Sequence, residues 1–288
     1  MKKDELSALI QLLDDPDNEV FNHVASKLLA MGNPVIPELE SAWEDSIDPE
    51  LQERIEDLIH QIQLDDLSSD LMDWLANDPD NLLKGYVLAS RYRYPEMDEE
   101  NIRNTIDSIK RAVWLEQNYD LTPMEQVNVF NHILYTLKGF KGVTPSKPQS
   151  KDFYLNQVVD SKMGNSMSLG LLYLILAQEL DIPIYGVQLP RFFVLAYTRN
   201  FIHDFSEENL QKEVVFYINP ANKGTIFSRN EIKLYLEKAN IEAQKEFFSP
   251  ISNLEVIKAL FGYLIEVYEL ENDLSSVEEL KELRDLLG

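Results

Sequence analysis

Residues 166–180 constrain the fold of this chain more than any other stretch. Leu169, Leu171, Leu172, Tyr173, Leu174, Ile175 and Leu176 leave a helix there with no polar face. Such a helix must be covered on most sides. Pro183 closes it. Ile184–Leu189 and 192–197 then read as strands, rich in β-branched and aromatic residues. A third strand is expected over 214–218. The segment from Asn219-Pro220 to Gly224 reads as a turn, and Ser228 with Glu231 as a capping box opening the next helix. The unbroken apolar run, 169–177, is too short to cross a bilayer.

The first third repeats. DDPDNEVFNHVASKLLAM (14–31) and DSIDPELQERIEDLIHQI (45–62) align at an offset of 31. Val20 pairs with Leu51, Val24 with Ile55, Leu28 with Ile59 and Met31 with Ile62, all on one helix face. Leu6, Leu9 and Leu13 match Ile36, Leu39 and Trp43 at an offset of 30. Each unit is helix, acidic turn, helix, with Asp15-Pro16 and Asp48-Pro49 suited to helix initiation. The pattern resembles HEAT repeats, whose stacked pairs bury a continuous core. It reads as a concave protein-binding face or as a structural cap. Asp14, Asp15 and Asp17 lack the Gly and Glu of a calcium loop and read as helix caps.

Four further apolar stripes predict helices between 66 and 142: Leu71, Trp74, Leu75; Leu82, Leu83, Tyr86, Ala89; Ile102, Ile106, Ile109, Val113; and Val127, Phe130, Leu134, Leu137. Gly139 and Gly142 suit the end of the last one, and 143–151 reads as a surface loop. Near the C-terminus, Leu254, Ile257, Leu260, Phe261, Leu264, Ile265 and Tyr268, then Val277, Leu280 and Leu286, predict a helical hairpin resembling one tetratricopeptide unit. Ser275 and Glu278 read as the capping box of its second helix.

Composition narrows the chemistry. The 288 residues hold no cysteine and four histidines, and 26 basic against 50 acidic residues give a net charge of −24. Disulfides, thiolate metal sites and cysteine nucleophiles are excluded. No cofactor or metal is expected. The charge disfavours nucleic acid and anionic membranes, and favours protein partners with basic segments. The opening MKKDELSALIQLLDD lacks the apolar core and cleavage site of a signal peptide, so a soluble cytoplasmic protein is expected.

Several blocks, in order, resemble the transglutaminase-like superfamily, specifically its bacterial branch related to the Sir-type invasion-regulator proteins. They are Gly164-Asn165-Ser166-Met167-Ser168-Leu169, Leu172-Tyr173-Leu174, Gly186-Val187-Gln188-Leu189-Pro190-Arg191-Phe192-Phe193 and Asn219-Pro220. NHILYTLKGFKG (131–142) and Leu155-Asn156-Gln157-Val158-Val159 also fit. The resemblance covers roughly residues 70–240. It implies an enzyme ancestry in which a cysteine at a buried helix N-terminus, a strand histidine and a strand acid form a triad. By position these roles fall on Ser166, Phe192 and Asn219, and none of the three matches. Loss of a triad typically costs about 10⁴-fold in rate.

The resulting expectation is an α+β, predominantly helical protein: HEAT-like repeats (1–66), a transglutaminase-like core with leading helices and a small antiparallel sheet (67–245), and a helical hairpin (246–288). It is expected to be a catalytically inactive interaction or regulatory module. The groove candidates are Asn165, Ser166, Arg191, Phe192, His203 and Asn219, with Arg191 and the two phenylalanines expected to fill the former groove, the alternative being that Arg191 binds a carboxylate. The competing reading is a hydrolase or amide transferase using Ser166 with His203.

Overall fold

The computed structural model describes residues 3–15, 17–118, 120–143, 148–206 and 210–288. Pro16, Met1 and Lys2, and residues 144–147 of the expected surface loop, lie outside the described residues. The chain divides into two compact units, Met1–Met72 and Asp73–Gly288.

The first unit is helical: α1 (Lys3–Gln11), α2 (Asn18–Met31), α3 (Ile36–Asp45) and α4 (Pro49–Asn77), which runs past the division. Local chemistry sets the boundaries. Asp17 accepts a hydrogen bond from the Glu19 N–H at 2.9 Å, and Asp48 does the same for Glu50 at 2.9 Å. Gly32, at φ 66°, ends α2. The aligned positions of the repeat meet in one core, where Leu6, Leu13, Val24, Leu28, Leu39, Ile55 and Ile62 are buried. Trp43 departs from that pattern. It is 37% exposed, and its indole N–H donates to Glu56 at 2.8 Å. The break expected at residue 66 is not seen, because Asp65 and Asp66 continue α4.

The second unit continues with α5 (Leu82–Arg91), α6 (Glu99–Glu116) and α7 (Pro123–Asn131). Their apolar stripes are inward, as the spacing predicts, with one correction. Leu137 is 61% exposed. Residues His132–Leu137 form a π turn, with the Lys138 N–H bonded to the Ile133 carbonyl five residues back at 2.8 Å. The wider turn rotates the succeeding residues out of the 3.6-residue phase. Two-residue strands β1 (Lys141–Gly142) and β2 (Met163–Gly164), not foreseen, pair in parallel around α8 (Leu155–Ser161).

Helix α9 (Ser166–Glu179) is buried from Met167 through Ala177, as its composition requires. Four antiparallel strands come next: β3 (Ile184–Leu189), β4 (Phe192–Thr198), β5 (Val214–Asn219) and β6 (Thr225–Phe227), in that spatial order. One sheet face lies on α9. The other packs Val187, Leu189, Val194, Ala196 and Tyr217 against Ile232 and Leu236 of α10 (Arg229–Lys238). Ser228 and Glu231 form the expected capping box.

The hairpin of α11 (Asn253–Glu271) and α12 (Leu274–Asp285) belongs to this second unit. Asp273, not Ser275, caps α12: its carboxylate accepts from the Ser276 N–H at 3.2 Å. An aspartate two residues earlier starts the helix before Ser275 can. Among the described residues no helix is long and apolar enough to cross a membrane.

Candidate functional site

The site is assembled at the amino end of α9. Asn165 is the N-cap. Its side-chain oxygen accepts from the Met167 and Ser168 N–H groups at 2.9 Å each, and the Ser168 hydroxyl accepts from the Asn165 N–H at 3.0 Å. Asparagine is a strong N-cap, and the reciprocal bond makes a capping box. Its amide nitrogen is buried without a hydrogen-bond partner. Ser166 is the first helical residue, and its Oγ lies 3.5 Å from the Phe193 N–H nitrogen. A helix N-terminus stabilises an anion. A serine hydroxyl there still needs a base before it becomes a nucleophile.

Strand register decides where such a base would stand. Successive side chains of β4 point to opposite faces of the sheet. Phe193 points to α9 and is fully buried. A Cβ at Gly170 would come within 2.6 Å of its ring, and one at Gly186 within 2.6 Å. Phe192 therefore points the other way. It is 44% exposed and meets the Tyr235 ring edge-on, 5.4 Å between centroids. Of the three residues expected to fill the groove, only Phe193 is buried against α9; Phe192 and Arg191 are exposed. Arg191 sits in the two-residue loop between Leu189 and Phe192, at φ 67°, and lines a cavity of about 360 Å³.

Asn219 is engaged in structure. Its side-chain oxygen accepts from the Ala221 and Asn222 N–H groups at 3.1 and 3.2 Å. The turn it caps is held from three sides. The Tyr135 hydroxyl donates to the Pro220 carbonyl at 2.8 Å, and the Asn131 amide donates to the Gly224 carbonyl at 2.8 Å. Gly142 passes so close that a Cβ there would lie 1.8 Å from the Ala221 oxygen. The Tyr173 hydroxyl of α9 donates to the Asn131 oxygen at 3.2 Å. Pro220 thus rests on the first turns of α9, where a Cβ at Gly170 would be 3.5 Å from its ring.

His203 is elsewhere. Ser166 lies against the beginning of β4, while His203 comes after its end and is exposed. Thr198 is five residue steps along the strand from Phe193, about 17 Å at 3.4 Å per residue. The neighbouring Ile202 N–H is tied to the Tyr185 hydroxyl at 2.8 Å, at the far end of β3. Tyr185 pairs with Ala196, whereas Phe193 pairs with Gln188. The structure does not bring Ser166 and His203 together. Among the described residues no cluster of three or more His, Asp or Glu is placed to hold a metal ion.

Sequence reasoning passed over the roles of Asn131, Tyr135, Gly142 and Gly170 in holding the Asn219 turn and β4. Only Gly170 carried a signal, as a glycine inside an otherwise helix-favouring apolar run, which marks a close approach by a neighbour.

The transglutaminase-like superfamily profile matches residues 100–261. The chain is 28% identical to the UPF0162 protein YchA of Escherichia coli K12 over 213 residues, 69% of this chain and 72% of that protein. It is 28% identical to a UPF0162 protein of Xylella fastidiosa over 115 residues, 40% of this chain, and spans 41% of that relative's length. It is 24% identical to mouse F-box only protein 21 over 162 residues, 56% of this chain and 24% of that protein. No solved structure matches.

Proposed function

This chain belongs to the transglutaminase-like superfamily, and from that premise we propose that it is a non-catalytic member acting as a protein-interaction or regulatory module. The observation that carries this reading is the direction of Phe192. The position matching the family's histidine holds a side chain that cannot take a proton, and it faces Tyr235 on the α10 side. With no base there, the Ser166 hydroxyl has no route to nucleophilic form. The Asn219 amide is occupied in capping its own turn.

The first unit supports a binding role. We read it as HEAT-like, and the whole as akin to the Sir-type invasion-regulator branch. Its 72 residues carry eighteen acidic and four basic side chains. A groove of about 520 Å³ within it is rimmed by Asp14, Glu38 and Asp45 over apolar Ile10, Ala42 and Leu51. Such a groove suits a basic amphipathic segment of a protein partner, and repels nucleic acid and anionic membranes.

The test has two arms. Purified protein is assayed for amide hydrolysis and acyl transfer on glutamine-containing peptides, beside Ser166→Ala. No turnover above that variant is expected, and turnover that Ser166→Ala abolishes would overturn the reading. Binding of basic amphipathic peptides is measured by fluorescence anisotropy. Affinity should fall with added salt and in Glu38→Lys. Absence of binding would remove the partner class from the proposal.

A further inference from the structure

The cavity beside the β3–β4 hairpin lies in the second unit, bounded also by residues 246–251 and by α11. At about 360 Å³ it falls in the size range of small-ligand pockets, roughly 300–1,000 Å³. Its polar lining is Gln188, Arg191, Glu246, Tyr263 and Glu266. Arg191, Glu246 and Glu266 line one open pocket and are solvent-exposed, and among the described residues no ion pair joins Arg191 to either glutamate. One positive and two negative residues thus border it without a direct ion pair between them. Tyr263, whose ring stacks on Phe153 at 6.2 Å between centroids, also lines the pocket.

Arg191 holds this position against its own backbone preference. Pro190 fixes the first loop residue near φ −65°, and the second then takes φ 67°. That conformation belongs to glycine or asparagine in such turns. Lys162, Asp181 and Lys223 take the same left-handed conformation, so the strain is not peculiar to Arg191. Its guanidinium makes no protein hydrogen bond or ion pair among the described residues, and its charge acts on the neighbouring Tyr235 phenol. A charged side chain without an ion-pair partner at the mouth of a pocket is available to a ligand of opposite charge.

The remaining wall is apolar, from Leu189, Phe247 and Ala259. Gly262 of α11 leaves it open: a Cβ there would meet no atom within 4 Å. A ligand fitting this arrangement has one carboxylate for a forked guanidinium, two cationic groups for the two glutamates, and methylenes between them. Its net charge of +1 complements the site's −1. We propose that the cavity binds a free dibasic amino acid of the lysine–arginine class, its carboxylate on Arg191 and its cationic groups on Glu246 and Glu266.

The full chain is titrated calorimetrically with L-lysine and L-arginine, with L-glutamate and N-acetyl-lysine methylamide as controls. Saturable binding is expected for at least one basic amino acid and for neither control. Arg191→Gly should weaken it about tenfold or more through loss of the charged hydrogen bonds. Gly262→Leu should abolish it by filling the space. Neither variant should lower Tm, since the first removes backbone strain and the second replaces a helical glycine. No saturable heat with millimolar lysine or arginine would overturn the proposal. So would equal affinity in Arg191→Gly or Gly262→Leu, or equal binding of the methylamide. Because the experiment reads binding of the free amino acid and not turnover, its result is independent of whether the chain is an enzyme.

Discussion

The ring of Phe193 occupies the space that a side chain on residue 170 would need: its Cδ1 lies 2.6 Å from the position a Cβ would take on Gly170. Helix and strand touch there backbone to ring. That contact brings the beginning of β4 against Ser166 and closes the space beside it. Gly170→Ala should therefore destabilise the protein even though alanine is the better helix former. Overpacking typically costs about 1–3 kcal/mol, against a propensity gain of roughly 1 kcal/mol. Urea denaturation should show a lower midpoint at unchanged slope. A higher midpoint would mean the contact is looser than described.

Arg191→Gly should act in the opposite sense. It removes a non-glycine residue from the left-handed region, a conformation costing roughly 1–2 kcal/mol, partly offset by glycine's extra freedom when unfolded. A gain of about 0.5–1 kcal/mol is expected by chemical denaturation. A loss would show that the guanidinium makes a stabilising contact.

Asn165→Ala removes the oxygen that accepts two N–H groups at the start of α9. Loss of an N-cap costs about 0.5–2 kcal/mol. The buried, unpartnered amide nitrogen is removed as well, so the loss should fall in the lower part of that range. Asn165→Asp keeps the acceptor and separates the two effects. An Asn165→Ala variant as stable as the wild type would refute the cap.

Alkaline pH should weaken the fold early. Burial raises the phenols of Tyr86 and Tyr173 well above their usual value, and burial pushes Tyr217 up to about 12, opposed by Arg229. A raised folded-state pKa favours the neutral phenol in the native protein. The stability it represents is fully present below the unfolded value near 10 and is lost as pH rises through the folded value. For Tyr217 that window is about pH 10 to 12. Denaturation midpoints measured across it should fall steeply, with tyrosinate absorbance rising in step. A flat stability profile through that window would contradict the burial of these rings.

Much of the architecture could be read from the chain, and the reason is periodicity. The all-round apolar α9, the β-branched runs of β3 and β5, and the Ser228–Glu231 box each carry a strong local signal. Strand β6 has three residues, and β1 and β2 have two each. These are too short for a pattern to repeat, so they exist through pairing alone. Phe192 and Phe193 show the harder limit. Composition says that two aromatics are adjacent, but only the register against β3 says which faces α9. At α12, two capping candidates stand two positions apart, and the earlier one, Asp273, starts the helix. The cavity beside Arg191 joins residues 188–191, 246–251 and 259–266. No local pattern announces such a meeting.

The π turn at His132–Leu137 has a consequence for the length of the chain. It consumes one more residue per turn than an α-helix, and that residue sets the count for everything up to β1. Wind the same residues as an α-helix, and the chain runs ahead by one place: Leu137 returns to the apolar stripe, and Lys141 arrives where Gly142 now passes over the Ala221 carbonyl. No side-chain carbon can occupy a point 1.8 Å from an oxygen. The extra residue therefore acts as a spacer in the chain's numbering, delivering a glycine to the crossing where the Asn219 turn is held in place.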